Sequence, residues 1–432
     1  MTGSPALAVY LAASRLAGPL AHWLLARRMA AGREDPLRLG ERLGRAGVAR
    51  PEGTLIWLHG ASVGEALSML PLIAELRRQA PGVNCLVTTG TVTSARRMAE
   101  LLPAGCIHQF VPVDTSGAVR RFLDHWRPDL AIWVESEFWP GLMAATARRG
   151  TPMMLVNARV SARSARRWAW APGMAAALVR SFRRIVTQDA ETAARLVAMG
   201  ADPGRVREGG NLKALIPVPG CDAAELETLR AALAGRPVWL AASTHAPEEV
   251  AVAAAHRVAS RSLPGLLTIL APRHPERGGE IAALLAGQGL TVAQRSQGRS
   301  GVEAPRPETD IWLADTLGEM GLWLRLAPVA FVGGSIAVRG GHNPFEPAAL
   351  GAAILHGPET GNFAPAYAAL AGAGGARSVA DGAEMGAAVA ALLGSEAARR
   401  AMTDAAEAVR QRLEPDVAAL AREALALIEA EP

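Results

Sequence analysis

The chain alternates between two apolar patterns. Short continuous apolar runs, of the kind buried on both faces of a parallel sheet, are separated by longer stretches in which apolar residues recur every three or four positions. The runs LIWLH (55–59), VNCLVTT (83–89), IHQFVPV (107–113), LAIWVES (130–136), MMLVNA (153–158) and RIVTQ (184–188) predict six strands, with helical segments such as 66–79 and 190–199 between them. The alternation stops at NLKALIPVPGCD (211–222), where two prolines and a glycine predict a linker. It restarts with VWLAAS (238–243), LLTILAP (266–272), TVAQR (291–295), DIWLAD (310–315), VAFVGG (329–334) and AILHG (353–357). The prediction is an α/β chain of two Rossmann-like, doubly wound domains with a cleft between them. They span residues 31–213 and 223–432, joined by the linker 214–222, with an alanine-rich helical tail beyond Glu384 closing the second domain.

The first thirty residues break this rhythm. Residues 6–26 read ALAVYLAASRLAGPLAHWLLA and are followed by Arg27 and Arg28. About 20 helical residues cover a bilayer core. Arg15 near the middle costs roughly 2.5 to 3.5 kcal/mol on insertion, which makes spanning marginal. A helix lying in the interface, with Trp23 and the arginine pair at the headgroups, competes closely. A buried core helix is the third reading. With no basic residue before the apolar run, a cleaved signal peptide is disfavoured. Either membrane reading leaves the body cytoplasmic.

Composition narrows the partners. Of 432 residues half are hydrophobic, which excludes wholesale disorder, and the formal charge of +5 favours an anionic partner. With 4% aromatics and no long basic tract, nucleic acid is disfavoured. Cys85, Cys106 and Cys221 are widely separated and form no CxxC, so neither a disulfide framework nor a zinc site is indicated. Lys213 is the single lysine among 45 basic residues. A compact ammonium suits a confined anionic group, although a solvated loop residue is an equal reading.

Ligands of such sheets collect at the carboxyl ends of strands. The first strand runs into HGASVGEA (59–66), which allows two readings. Gly60, Ser62 and Gly64 have the spacing of a nucleophile elbow, making Ser62 a hydrolase nucleophile; alternatively Glu65, in the first turn of a helix, is a general base. ESEFWPG (135–141) would put Glu135 and Glu137 on one side of a strand, able to bind sugar hydroxyls or position a base, unless one of them caps the next helix. NARVSARSARR (157–167) is basic and could meet phosphates. In the second domain Ser243 and Thr244 precede a helix start and offer an anion site or simple caps. APRHPER (271–277) brings Arg273 and His274. GGHNPFEPAALG (340–351) places Asn343 and Glu346 between glycines at a strand-to-helix turn, an arrangement suited to sugar hydroxyls. No P-loop or dinucleotide fingerprint occurs, and no D-x-D pair, which points to metal-independent transfer.

Together these stretches resemble the bacterial 3-deoxy-D-manno-octulosonic acid (Kdo) transferases of lipopolysaccharide synthesis. The matching blocks HGASVGE, TTGTVTSAR, ESEFWPGL, NARVSARS, GNLK, ASTHAPEE, PRHPER, DTLGEM and FVGGSIAVRGGHNPFEPAALG occur in family order between Trp57 and Asn362. The resemblance implies a GT-B glycosyltransferase fold with an acceptor-binding first domain and a donor-binding second domain. It implies CMP-Kdo as donor, a lipid A precursor as acceptor, inversion at the anomeric carbon, no cofactor, and work at the cytoplasmic face of the inner membrane. Carried onto this chain, Glu65 is the base, with Ser62, Glu135, Glu137 and Arg163 orienting on the acceptor side. Lys213, Ser243, Thr244, Arg273, His274, Gly318, Glu319, Met320, Asn343 and Glu346 fall to the donor. PFEPA and AVRGG depart slightly from the family pattern. A serine hydrolase using Ser62 and a non-catalytic nucleotide-sugar binding protein are the alternatives from other classes.

Overall fold

The computed structural model describes residues 4–135, 137–215, 218–298, 305–337 and 339–429. The chain forms two compact units, Met1–Ile216 with Glu414–Pro432, and Pro217–Leu413. The first is built on seven parallel strands: β1 (Leu55–His59), β2 (Asn84–Thr89), β3 (Cys106–Phe110), β4 (Leu130–Val134), β5 (Met153–Ala158), β6 (Arg184–Thr187) and β7 (Val206–Glu208). Their spatial order is 3-2-1-4-5-6-7. The second unit repeats the plan with β8 (Val238–Thr244), β9 (Leu267–Pro272), β10 (Val292–Gln294), β11 (Ile311–Leu313), β12 (Val329–Val332), β13 (Ala353–His356) and β14 (Ala376–Ser378), in the order 10-11-9-8-12-13-14.

The continuous apolar runs are strands because both faces of each sheet are covered. In β1 every residue is buried. Leu55 and Trp57 join Trp126 and Trp133 on one face, while Ile56 and Leu58 join Met69, Leu72 and Met154 on the other. The order reverses between β1 and β4 and again between β8 and β12. Loops diverge there and leave a crevice at the strands' carboxyl ends. Close approach at the second crevice requires glycine: a Cβ on Gly333 would lie 2.6 Å from the Ser243 carbonyl oxygen.

Three expectations are corrected. The N-terminal stretch is two helices, Pro5–Leu16 and Gly18–Ala30, with Pro19 opening the second. At 1.5 Å per residue each is about 20 Å long, short of the ~30 Å apolar core. Among the described residues no helix is long and apolar enough to cross a membrane. The first helix packs on Pro140–Arg148 and Pro172–Val179, and its Tyr10 hydroxyl donates to Asp114 at 2.7 Å. The second correction concerns the tail. Its last helix, Val417–Glu429, belongs to the first unit, where Leu420, Ala421 and Ala424 are buried with the apolar face of Val63–Gln79. Third, β4 stops at Val134, and Glu135 turns into the left-handed region at φ 62°. Strand alternation therefore does not set the directions of Glu135 and Glu137. The short strands β7 and β14 were not predicted.

Candidate active site

The first crevice is built by the loops after β1 and β4. Ser62 caps the Val63–Gln79 helix: its hydroxyl accepts from the Glu65 N–H and donates to Glu65 Oε1 at 2.8 Å, while the Ala61 N–H donates to Glu65 Oε2 at 2.7 Å. This reciprocal Ser-x-x-Glu pairing fixes both side chains. Gly60 permits it, since a Cβ there would lie 3.0 Å from the Glu65 Cβ. A carboxylate has about four lone-pair directions; these two bonds leave room for another donor. Burial pushes the Glu65 carboxyl up to about 7, with the Glu135 charge and more weakly that of Glu137 adding, against the Ser62 and Ala61 bonds.

Glu135 is buried and ion-paired with Lys213 at 2.5 Å, and Lys213 Cε also lies beside Gly64. Three carboxylates and the sole lysine thus converge at one switch point. Burial and Glu135 raise the Glu137 carboxyl as well. The cap of the following helix is neither glutamate but Asp114, which accepts from Gly141 N and Leu142 N. Arg163 is exposed on the helix Ala162–Trp168, and among the described residues no ion pair joins it to the carboxylates. Ser62 is committed to its capping role; no imidazole hydrogen-bonds it among the described residues, and nearby His59 is buried against Thr88. Among the described residues the hydrolase reading has no histidine base, and the group to which Ser62 donates is Glu65.

An apolar cavity of about 450 Å³ adjoins this cluster. Leu20, Leu24 and Leu25 of the second N-terminal helix line it together with Val111, Trp139 and Ala61, the residue whose N–H holds Glu65.

In the second unit the loops after β8 and β12 are tied together by Glu248, which the sequence reading did not single out. Its buried carboxylate accepts five backbone N–H groups: His245 and Gly334 on Oε2, and Ser335, Ile336 and Ala337 on Oε1. The helix Ala246–Ala259 begins at His245. The His245 Nε2 is 3.0 Å from His342 Nε2, and the His274 ring lies 5.8 Å from that of His245. Burial lowers His342 to about 4, with His245, Arg273 and His274 adding. His245 is lowered by burial and by Arg339, His274 and Arg273. A cavity of about 520 Å³ is lined by His245, Ala246, Pro247, His274, Arg277, Ala337 and Arg339. Such a basic wall, with imidazoles that gain protons when a negative charge arrives, can hold a phosphate or carboxylate.

Of the predicted donor residues, Arg273 and His274 join this cluster. Ser243, next to last in β8, has φ 55°, and the buried hydroxyl of Thr244, which ends the strand, has no hydrogen-bond partner among the described residues. Asn343 Oδ1 accepts from Phe345 N, and its amide faces Glu346, whose carboxyl is raised by burial. Glu319 is engaged elsewhere, by Arg295 at 2.7 Å and by Thr316; Gly318, at φ 89°, precedes it, and Met320 starts the next helix against an apolar cluster. His245, His342 and Arg339 were missed as individuals. The first two lie inside the quoted ASTHAPEE and GGHNPFE blocks, but only strand order shows that they meet.

These two units define a class, the proteins built on paired doubly wound domains. UDP-GlcNAc 2-epimerase from Neisseria meningitidis superposes over 87% of this chain and 100% of its own with a TM-score of 0.59, at 11% identity, a likeness of fold alone. Sequence is more specific. The profile of the family 3-Deoxy-D-manno-octulosonic-acid transferase (kdotransferase) matches residues 37–216. The 3-deoxy-D-manno-octulosonic acid transferase of Bordetella pertussis is 36% identical over 93% of this chain and 94% of its own length. That of Haemophilus influenzae is 33% identical over 85% and 86%. The chain belongs to the 3-deoxy-D-manno-octulosonic acid transferase family, and is a glycosyltransferase enzyme, which closes the hydrolase and non-catalytic alternatives.

Proposed function

We propose that the chain moves Kdo from CMP-Kdo to a hydroxyl of a lipid A precursor, with inversion at the anomeric carbon and without cofactor or metal. The observation that carries the reading is the apolar cavity against Ala61, which would let acyl chains of an acceptor lie beside the residue that holds Glu65. The acceptor hydroxyl loses its proton to the free side of the Glu65 carboxylate as its oxygen bonds the anomeric carbon from the face opposite CMP. The C–O bond to CMP breaks with its electron pair. The phosphate is already a good leaving group, so no strong acid is needed. Arg273, His274, Asn343 and Glu346 are assigned to the donor, with His245, His342 and Arg339 beside them. Lys213 orients Glu135 and is assigned to a donor anion.

The same reading places the protein on the cytoplasmic face of the inner membrane, held by a helix in the interface. Leu16, Leu20, Trp23 and Leu24 are exposed, flanked by Arg15, Arg27 and Arg28. The guanidinium of Arg27 lies 5.9 Å from the Trp23 ring, an amphipathic pairing suited to headgroups. The test is incubation of purified protein with CMP-Kdo and a tetraacylated lipid A precursor in detergent, with products weighed by mass spectrometry and anomeric configuration read by NMR. Kdo-bearing lipid of inverted configuration is expected. Release of CMP without sugar on the lipid, or retained configuration, would contradict the proposal.

A further inference from the structure

We propose that Cys85 and Cys106 form a reversible oxidation site, which peroxide converts to a disulfide across β2 and β3. Far apart in sequence, the two residues are direct partners in the parallel ladder. Neighbouring strands lie about 4.8 Å apart, inside the ~4.4 to 6.8 Å range of Cα separations that a disulfide bridges, and near its short end. Opposed residues of a parallel pair send their side chains to one face, and both cysteines belong to the apolar cluster beneath the Val63–Gln79 helix. The third cysteine, Cys221, lies in the other unit.

The two thiols are chemically distinct. β3 is the edge strand of its sheet, and Cys106 is partly exposed where Cys85 is buried. Arg77 places Nη1 3.9 Å from the Cys106 sulfur. Its guanidinium also lies over Gly105, where a Cβ would sit 3.6 Å from Nη2. The hydrogen bond from Cys85 and the Arg77 charge pull the Cys106 thiol below its ordinary value against the effect of burial. The same hydrogen bond and burial raise Cys85. Cys106 is the attacking thiolate and Cys85 the resolving thiol.

The chemistry balances with a hydroperoxide as oxidant. The Cys106 thiolate attacks a peroxide oxygen, an S–O bond forms as O–O breaks, and the departing hydroxide takes a proton to leave as water. Cys85 then attacks the resulting sulfenic sulfur, S–S forms as S–O breaks, and its proton leaves with the second water. Two electrons pass from the thiols to the peroxide. With Cys106 partly exposed, the bridge is open to attack by an external thiol and so can be reduced again. Cys106 opens β3 and Cys85 is the second residue of β2, so the site lies at the opposite end of the strands from Glu65.

The test treats full-length protein with hydrogen peroxide, then denatures, alkylates and maps peptides by mass. Expected is a peptide linking Cys85 to Cys106, lighter by two hydrogens and restored by dithiothreitol, while Cys221 stays alkylated. In Cys85→Ala, Cys106 should stop at sulfenic acid and be trapped by dimedone. In Arg77→Gln, the peroxide reaction at neutral pH should slow by roughly two- to fivefold as the thiol's pKa recovers, because less thiolate is present. Oxidation of Cys106 no faster than that of Cys221, or a wild-type product that stays at sulfenic acid with no crosslink, would overturn the proposal.

Discussion

Glu65 carries two duties in one carboxylate, capping its helix through Ser62 and Ala61 and keeping a lone pair for a substrate proton. With its carboxyl near 7, it is poised where a general base is most effective at neutral pH. Glu65→Gln can keep the cap, because the amide oxygen replaces the acceptor at Ala61 and its NH₂ can donate to Ser62. Turnover should fall by about 10² to 10⁴. Stability should move the other way. The folded carboxyl binds its proton more tightly than the unfolded one, so ionising it costs stability as pH rises from 4.5 to about 7. At pH 8 the glutamine variant should melt no lower than wild type; a clear drop in melting temperature there would show that the cap, not the charge, dominates. Lys213 is the counterweight. Lys213→Ala leaves Glu135 buried without its ion pair and adds repulsion to Glu65, so the acid limb of the pH–rate profile should move to higher pH. Lys213→Arg should restore little, because the guanidinium is bulkier than the space beside Gly64 and Glu135 allows. Wild-type activity and profile in the arginine variant would return this lysine to a spectator.

At the scale of elements, the N-terminal helices and the Glu248 staple invite separate tests. Leu16→Glu with Trp23→Glu places charge on exposed apolar side chains of the two N-terminal helices that do not line the apolar cavity, and should release the protein from vesicles while leaving activity on detergent-dispersed acceptor. Unchanged vesicle binding would move docking to the exposed arginines of Ala162–Trp168. Glu248→Gln replaces an anion that holds five N–H groups by an amide with one acceptor oxygen. Buried, charge-assisted bonds of this kind are worth about 1.5 to 3 kcal/mol each when lost singly, so a marked loss of melting temperature and of donor binding is expected; a wild-type melt would contradict the staple.

These elements also show what was legible in the sequence. The buried strands were, because continuous apolar runs have few other uses; β7 and β14 were not, because Val-Arg-Glu and Ala-Arg-Ser carry almost no apolar signal. Glu65 was legible as a carboxylate in the first turn of the helix that follows the first strand, although its pairing with Ser62 was not. Glu248 was not, since its five partners are supplied mostly by a loop that only the reversed strand order brings near. Counting apolar residues suggested one continuous helix, spanning or interfacial, and passed over Gly18–Pro19, where the chain ends one helix and starts another. Period two failed at Glu135 for a similar local reason, a left-handed residue directly after the strand.

Across the whole molecule, buried and half-buried histidines set the response to acid. His59, His108 and His342 are each lowered to about 4 by burial. Between roughly 4 and 6.5 the unfolded chain binds more protons at these sites than the folded one, so their contribution is present above 6.5 and lost as pH falls through that window. Glu65, and with it Glu137 and Glu346, works oppositely, while the lowered His245, His256 and His356 reinforce the three histidines. The melting temperature should fall as pH drops from 6.5 to 4; a flat or rising curve would contradict this balance. The central claim concerns the base, and the most direct measurement is the single-turnover rate of Kdo transfer against pH for wild type, Glu65→Gln and Glu135→Gln. The account predicts a wild-type rate that falls below an apparent pKa near 7, a glutamine variant at position 65 slowed by about 10² to 10⁴ with that acid limb gone, and an acid limb retained in Glu135→Gln at lower pH. A wild-type limb preserved in Glu65→Gln and abolished in Glu135→Gln would contradict it and move the base to the loop after β4.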